Sequence, residues 1–347
     1  GSGRISARKW KASNSNIIAS MTVKWGFIGA GFVATKAMAP AVHAATNATL
    51  IAVASQNLGR AQALAPVRTY HGSDSYNQII EDPEIDAIYI NLTNNQHHQW
   101  AIAALKAGKH VLCEKPLALN FQQSREMADA ATTSGKLLVE AVWTRWHPRF
   151  QRAVEIVAKG DIGRLTAIES EFTFTADLND NFRALKNLGG GSLLDVGGYQ
   201  IQLWRSLINP WTAPTFTSVN QTLNSDGADL STDLQAEITL SQSLVKLSAQ
   251  TSFIAPERQS LKIVGDQNSI EFTAGQAFTS WKESSALRIG EHTEVFAPVD
   301  AYQIMIESFS SRVSGSNDWV LPIQESLDVA QVLEIDFPYA IRSYQGK

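Results

Sequence analysis

Residues 24–31 read Lys24-Trp25-Gly26-Phe27-Ile28-Gly29-Ala30-Gly31, an apolar run that feeds straight into a glycine turn, and Phe32 onward reads as a helix. Gly29, Gly31 and Ala34 complete a Gly-x-Gly-x-x-Ala pattern. Strand, tight turn and helix start together make a cradle for a pyrophosphate. The first glycine permits the sharp turn. The second lets the backbone approach phosphate without a Cβ in the way, and Ala34 lets helix and strand pack closely. The helix start at Phe32 and Val33 offers free N–H donors and the positive end of the helix dipole. An ordinary strand–turn–helix connection also wants glycine, so the pattern draws its weight from the strand and helix that flank it. It points to a dinucleotide and to an oxidoreductase.

Outward from that turn, strands and helices alternate up to about Ala141. The strand candidates are Val23–Ile28, Leu50–Ser55, Ala87–Leu92, His110–Cys113 and Leu137–Ala141. Several are continuous apolar runs, as expected for parallel strands buried on both faces. Helical patterns lie between them at Phe32–Ala44, Tyr76–Glu81, His97–Ala107 and Phe121–Thr133. This predicts an α/β N-terminal domain with a doubly wound parallel sheet. After Pro148 one helix, Phe150–Lys159, ends at Gly160, and the pattern then changes to period 2. Leu234, Ala236, Ile238 and Leu240 share one face, and Gln235, Glu237 and Thr239 the other. Val245, Leu247, Ala249, Thr251 and Phe253 likewise oppose Lys246, Ser248, Gln250 and Ser252. That predicts an α+β domain with a largely antiparallel, open-faced sheet. Helices are expected near Tyr302–Val313 and from Ile323 to about Tyr344. The expected division is residues 21–142 for the dinucleotide and 143–347 for substrate and dimerisation, with the C-terminal helix packing back near the first domain.

The chain has 347 residues, enough for two domains sharing a cleft, and a formal charge of −4, with no basic excess for nucleic acid. Its single cysteine, Cys113, forbids an internal disulfide, and no metal-ligand cluster stands out. No apolar run approaches the roughly 20 residues that cross a membrane. Residues 1–20 are polar and basic and precede Met21, which looks like the native start. They read as an added leader or a flexible arm, and a cytoplasmic setting is expected.

The second strand ends Ala54-Ser55-Gln56-Asn57-Leu58-Gly59-Arg60. Sites for NAD usually place an acid here, on the ribose 2′-hydroxyl. No Asp or Glu occurs between Leu50 and Tyr70. A carboxylate would repel a 2′-phosphate, whereas Ser55 and Arg60 can hydrogen-bond one, and the planar guanidinium can stack on adenine. NADP is favoured, with NAD as the alternative. The plain reading of Arg60 is a solvated helix residue.

Glu114-Lys115-Pro116 follows the His110–Cys113 strand, beyond the carboxyl ends of the strands, where open parallel sheets bind ligands. Alone it is an unremarkable loop. Gly189-Gly190-Gly191-Ser192 then opens a helix to about Ile208, with Asp195 and Tyr199 spaced i, i+4 on one face. The bland readings are an acid at the positive end of a helix and a core tyrosine. These motifs, in this order and spacing, resemble the glucose–fructose oxidoreductase / inositol dehydrogenase / MocA family. Thr93-Asn94-Asn95-Gln96-His97-His98-Gln99-Trp100 resembles its fourth-strand loop, with Thr93 in place of the more usual proline and Asn94 and His97 matching. Tyrosine at 199, where many members carry histidine, resembles the branch of dimeric dihydrodiol dehydrogenase, NADP-dependent D-xylose dehydrogenase and glucose–fructose oxidoreductase. Glu140-Ala141-Val142-Trp143-Thr144-Arg145-Trp146, Ser55 and Arg60 resemble that branch too.

The resemblance implies roles. Tyr199 is the general acid/base, with the Lys115 ammonium favouring its phenolate. Asp195 binds substrate hydroxyls or positions Lys115. Glu114 and Thr93, Asn94 and His97 border the cofactor, with a structural histidine as the alternative for His97. Arg145 is a cofactor contact and Arg183 a cleft contact. Trp143 walls the substrate, or simply packs. The implied reaction is hydride transfer between NADP and a sugar or polyol, with an aldose such as D-xylose first. A trans-dihydrodiol, a keto-sugar or a dicarbonyl is the enzymatic alternative, and a non-catalytic NADP-binding sensor the alternative from another class. Open sheet faces of this kind commonly pair in the family, so a homodimer is expected, with Glu237 and Lys246 pairing across it.

Overall fold

The computed structural model describes residues 21–241, 243–334 and 340–345; the expected leader, residues 1–20, lies outside them. Six strands form the first sheet: Val23–Ile28 (β1), Ala48–Ser55 (β2), Arg68–His71 (β3), Ala87–Ile90 (β4), His110–Glu114 (β5) and Leu138–Ala141 (β6). They lie in the order β3-β2-β1-β4-β5-β6, and every pairing is parallel. The order reverses between β1 and β4, which opens a crevice beyond their carboxyl ends. In this sheet and the helices around it, β3 and the helix Leu58–Ala63 have no counterpart in the sequence pattern. The edge strand is Arg-Thr-Tyr-His and only half-buried, and the short helix buries Ala61 alone, so neither carries an apolar period.

The helix after β1 passes through a π-helical segment, Ala34–Met38, before continuing as Ala39–Ala44. Pro40 explains the wider turn, because it has no N–H to donate to Lys36. Trp25 of β1 is fully buried against Phe309 of the helix Ala301–Val313, with ring centroids 5.0 Å apart. Its indole donates to Ser310 Oγ at 3.1 Å. A helix from late in the chain therefore covers one face of the first sheet.

Nine strands make the second sheet: Leu165–Thr175 (β7), Thr215–Leu223 (β8), Asp229–Leu240 (β9), Ser243–Ser252 (β10), Ile254–Gly265 (β11), Ser269–Thr273 (β12), Ser285–Ile289 (β13), His292–Phe296 (β14) and Ile341–Tyr344 (β15). Their order is β14-β13-β12-β11-β7-β10-β9-β8-β15. All pairs are antiparallel except β10 with β7 and β15 with β8. The alternation is as expected: Leu234, Ala236 and Ile238 are buried, while Gln235 and Thr239 are exposed. Lys246 stands directly opposite Glu237 in register, so these charges already neighbour each other within one protomer.

The C-terminal helix corrects the sequence reading. It spans Ile323–Leu333 only, and 341–344 form β15; residues 335–339 lie outside the described residues. The sequence places a proline at 338, a residue type that the interior of a helix rarely holds. The Ile323–Leu333 helix packs on β6 and on the helix Phe121–Ser134, and Glu334 Oε2 accepts from the Phe121 N–H at 2.9 Å.

Candidate active site

The glycine turn is clamped against the end of β4. Gly29 has φ +95°, and a Cβ there would lie 2.0 Å from the Asn91 carbonyl oxygen. A Cβ on Gly31 would lie 2.5 Å from Asn91 Oδ1, to which the Gly31 N–H donates at 3.0 Å. Asn91 escaped the sequence reading, because no local pattern announces a side chain that folds back on a turn 60 residues earlier. Ala34 is buried, and Phe32 is exposed at the mouth of the turn. Ser55, at the end of β2, accepts the Asn57 N–H at 3.1 Å, and Asn57 caps the next helix through the Arg60 N–H at 3.0 Å. That leaves the Arg60 side chain exposed beside the turn that ends β2. A glycine turn, a helix start and an exposed guanidinium form a donor set that fits a phosphate-bearing dinucleotide.

The loop after β4 ties the two halves together. Thr93 Oγ1 donates to Asn95 Oδ1 at 2.8 Å, and buried Asn94 donates to the Gly189 carbonyl at 2.8 Å. His97 is fully buried, with Nδ1 2.8 Å from the Pro116 carbonyl and Nε2 3.1 Å from the Leu92 carbonyl. Burial lowers its pKa. A neutral imidazole has one N–H, so only one of these contacts is a donated bond at a time. The ring thus bridges two loops, through Nδ1 the one that carries Lys115 and through Nε2 the one after β4.

Lys115, Asp195 and Tyr199 come together. Lys115 Nζ donates to Asp195 Oδ1 at 3.0 Å and to its backbone carbonyl at 2.6 Å, and Arg183 Nε donates to Asp195 Oδ2 at 2.7 Å. Asp195 has both oxygens engaged and is only 7% exposed in its side chain, which favours positioning Lys115 over binding a hydroxyl. Burial opposes its charge, yet Lys115 and Arg183 outweigh burial and hold its pKa below the ordinary value. Burial likewise opposes the Lys115 ammonium, and Asp195, Tyr199 and Glu114 overcome it, so its pKa ends higher than usual. The ammonium sits 5.1 Å from the Tyr199 ring centroid.

Tyr199 is half-buried, with Trp143 6.3 Å, Phe172 6.2 Å and Phe278 6.4 Å away between ring centroids. Its pKa is raised: burial lifts it, Lys115 and a hydrogen bond from Trp143 lower it, and Glu114 and Asp195 lift it again. The lysine acts in the expected direction, but in the chain by itself burial wins. Glu114 is buried, accepts the Tyr89 hydroxyl at 2.7 Å and the Lys115 N–H at 3.2 Å, and is pushed to about 7, chiefly by burial.

The helix that carries Asp195 and Tyr199 begins as a π-helical segment, Leu193–Gly197, and continues as Gly198–Leu207. Its cap comes from the sheet. Asp229 Oδ2 accepts from Ser192 Oγ at 2.7 Å, from the Leu193 N–H at 2.9 Å and from Thr232 Oγ1 at 2.8 Å. Gly191, at φ +115°, lets Asp229 that close, since a Cβ there would be 2.1 Å from Oδ1. Asp229 lies 36 residues downstream of Leu193, at the start of an alternating strand, and gave no sequence signal as a cap.

Arg145 stands apart from this group. It donates to Glu325 Oε2 at 2.7 Å and to Gln202 Oε1 at 3.0 Å, and Gln202 donates to Glu140 Oε2 at 3.1 Å. Buried Glu140 also accepts the Leu117 N–H at 3.1 Å, so this chain of bonds braces the loop after Lys115.

Comparison with known proteins agrees with this architecture. Residues 23–142 match the oxidoreductase family with an NAD-binding Rossmann fold, and residues 150–271 match the GFO/IDH/MocA C-terminal domain. The chain belongs to the Gfo/Idh/MocA family of oxidoreductases, as its motifs imply. It is similar to D-xylose 1-dehydrogenase (NADP(+)) 2 of Haloferax volcanii, 31% identical over 89% of this chain and 95% of that protein. It is also similar to trans-1,2-dihydrobenzene-1,2-diol dehydrogenase of Danio rerio, 30% identical over 80% of this chain and 81% of that protein. A solved 3-ketoreductase from Actinomadura kijaniata, in complex with NADP and TDP-benzene, shares the fold with a TM-score of 0.80 at 23% identity, over 93% of this chain and 99% of that one.

Proposed function

We propose that this chain is an NADP-dependent oxidoreductase that moves hydride between nicotinamide and a sugar or polyol carbon, in the manner of a D-xylose 1-dehydrogenase. The observation that carries the reading is the phenol of Tyr199 beneath an ammonium, Lys115, itself fixed by buried Asp195. Bound NADP supplies the hydride acceptor at its nicotinamide. In oxidation the Tyr199 phenolate takes the proton of the substrate hydroxyl as the carbon gives up hydride; in reduction the phenol returns it. Lys115 favours the phenolate, and Asp195 keeps Lys115 in place. Phe32 and Val33 N–H groups hold pyrophosphate, and Ser55 and Arg60 hold the 2′-phosphate. Trp143 and the rings around Tyr199 exclude water and offer an apolar wall.

Those rings also favour a second reading, a trans-dihydrodiol dehydrogenase or keto-sugar reductase. Assays with NADP⁺ and NAD⁺ across aldoses, polyols and a trans-dihydrodiol, and with NADPH on a keto-sugar, separate the two. NADP binding without turnover of any of them indicates a sensor instead. The wild type is expected to prefer NADP, and Arg60→Glu to abolish that preference, because it sets a carboxylate against the 2′-phosphate. Equal cofactor affinities in the wild type, or an unchanged NADP affinity in the variant, contradict the assignment of Ser55 and Arg60.

The polar face of the second sheet supports a homodimer. Two copies related by a twofold axis would set Gln235, Ser248 and their neighbours against each other. Light scattering at micromolar concentration is expected to give a dimer mass, weakened by Thr239→Arg; a monomer mass rejects the arrangement.

A further inference from the structure

Arg149 is a buried cation without an acid. It lies in the first turn of the helix Pro148–Lys159, with 0% exposure, and no ion pair to it is formed among the described residues. The N-terminal end of a helix is already positive, so both burial and the dipole act against this charge. Burial alone lowers its pKa to about 10. What it holds instead are backbone carbonyls. Nη1 donates to Thr273 at 3.4 Å, and Nη2 to Gln276 at 2.9 Å and Ala277 at 3.2 Å. The guanidinium carbon sits 4.8 Å from the Phe272 ring centroid.

Thr273 ends β12, and Gln276 and Ala277 lie in the turn that follows it, in which Ala274 and Gly275 take left-handed φ values of +51° and +103°. The turn delivers Phe278, which is 1% exposed and stacks on Phe172 at 5.4 Å and 9°. Phe278 also lies nearly parallel to the Tyr199 ring, at 27°. A second route runs through Phe150, next to Arg149, which packs on Trp143 at 6.1 Å; Trp143 in turn lies 6.3 Å from the Tyr199 ring.

We infer that Arg149 is a positioning residue for Tyr199: it gathers the carbonyls of Thr273, Gln276 and Ala277 so that the turn presents Phe278 as the wall that fixes the Tyr199 ring. The inference rests on Tyr199 being the acid/base. The charged and titratable groups that face Tyr199 are Glu114 at the end of β5, Lys115 just after it, Asp195 on its own helix and Tyr302 on Ala301–Val313, and Arg149 bonds none of them. Losing Arg149 therefore loosens the ring and admits water without removing a charge from the site.

The test uses the full chain with Arg149→Met, Arg149→Lys and Phe278→Leu, assayed with NADP⁺ and D-xylose and by NADPH fluorescence titration. Arg149→Met is expected to lower kcat about tenfold or more, with the sugar KM and the NADPH Kd within about threefold of wild type. Arg149→Lys recovers part of the loss. The double variant with Phe278→Leu is no slower than the worse single change, because both act through one wall. Without substrate, the Tyr199 phenolate absorbance, read as the difference from Tyr199→Phe, titrates at lower pH in Arg149→Met, since water reaches the hydroxyl. Wild-type kcat in Arg149→Met, fully additive losses in the double variant, or an unmoved titration overturns the inference. If Arg149→Met fails to fold, Phe278→Leu decides, and a wild-type kcat there overturns it equally. Full turnover in Tyr199→Phe overturns the reading of Tyr199 and this inference together. An inactive Tyr199→Phe beside an active Arg149→Met overturns this inference alone.

Discussion

Tyr199→Phe is expected to lower kcat by about 10² to 10⁴ while leaving NADPH affinity almost unchanged. The change removes one hydroxyl and keeps the ring that Trp143, Phe172 and Phe278 surround. Packing and cofactor contacts therefore survive, and only the proton transfer is lost. An ordinary phenol titrates near ~10, and burial in this site raises Tyr199 further. Sugar oxidation by the wild type should then climb on the alkaline side, as phenolate forms, and the variant should lose that limb. Steady-state rates from neutral to alkaline pH, beside a fluorescence titration of NADPH, check both parts. Near-normal turnover across that range rejects Tyr199 as the acid/base.

Lys115→Met is expected to cost about 10² to 10³ in kcat and to move the pH–rate profile to higher pH. The sign follows from the site. Lys115 is the cation that pulls the Tyr199 pKa down against burial, Glu114 and Asp195. Without it, phenolate forms only at still higher pH. Asp195 keeps Arg183 as its remaining cationic partner, so the carboxylate stays paired and the helix that bears Tyr199 keeps its anchor. A profile that does not move removes the electrostatic role of Lys115, even if the rate falls.

The parts of the fold that were legible in the sequence carry a local period or a local chemistry. The β1 strand and its glycine turn are one continuous pattern, and the alternation of β9 and β10 gives both pairing and face. The meeting of Lys115 with Asp195, 80 residues apart, was legible only as one of the two roles that the family resemblance implied for Asp195. What was not legible depends on distant side chains. Asn91, Asp229 and Arg149 each act on a backbone segment far along the chain, and none belongs to a pattern. The sign of the Tyr199 shift was hidden too, because it depends on how the rings of Phe172 and Phe278, from separate elements, shut out water. Arg145 matches a motif, yet its partners Gln202 and Glu325 come from two later helices, and no spacing rule links them.

The most direct measurement of the central claim uses an aldose, D-xylose first, carrying deuterium at C1. After reaction with NADP⁺ and the wild-type chain, mass spectrometry of the nicotinamide product is expected to find the deuterium on the reduced cofactor, formed at a rate lowered by the isotope. Tyr199→Phe should place the label identically, only far more slowly. Recovery of unlabelled NADPH, or no reduction of cofactor by any aldose, polyol or dihydrodiol offered, would contradict hydride transfer at this site.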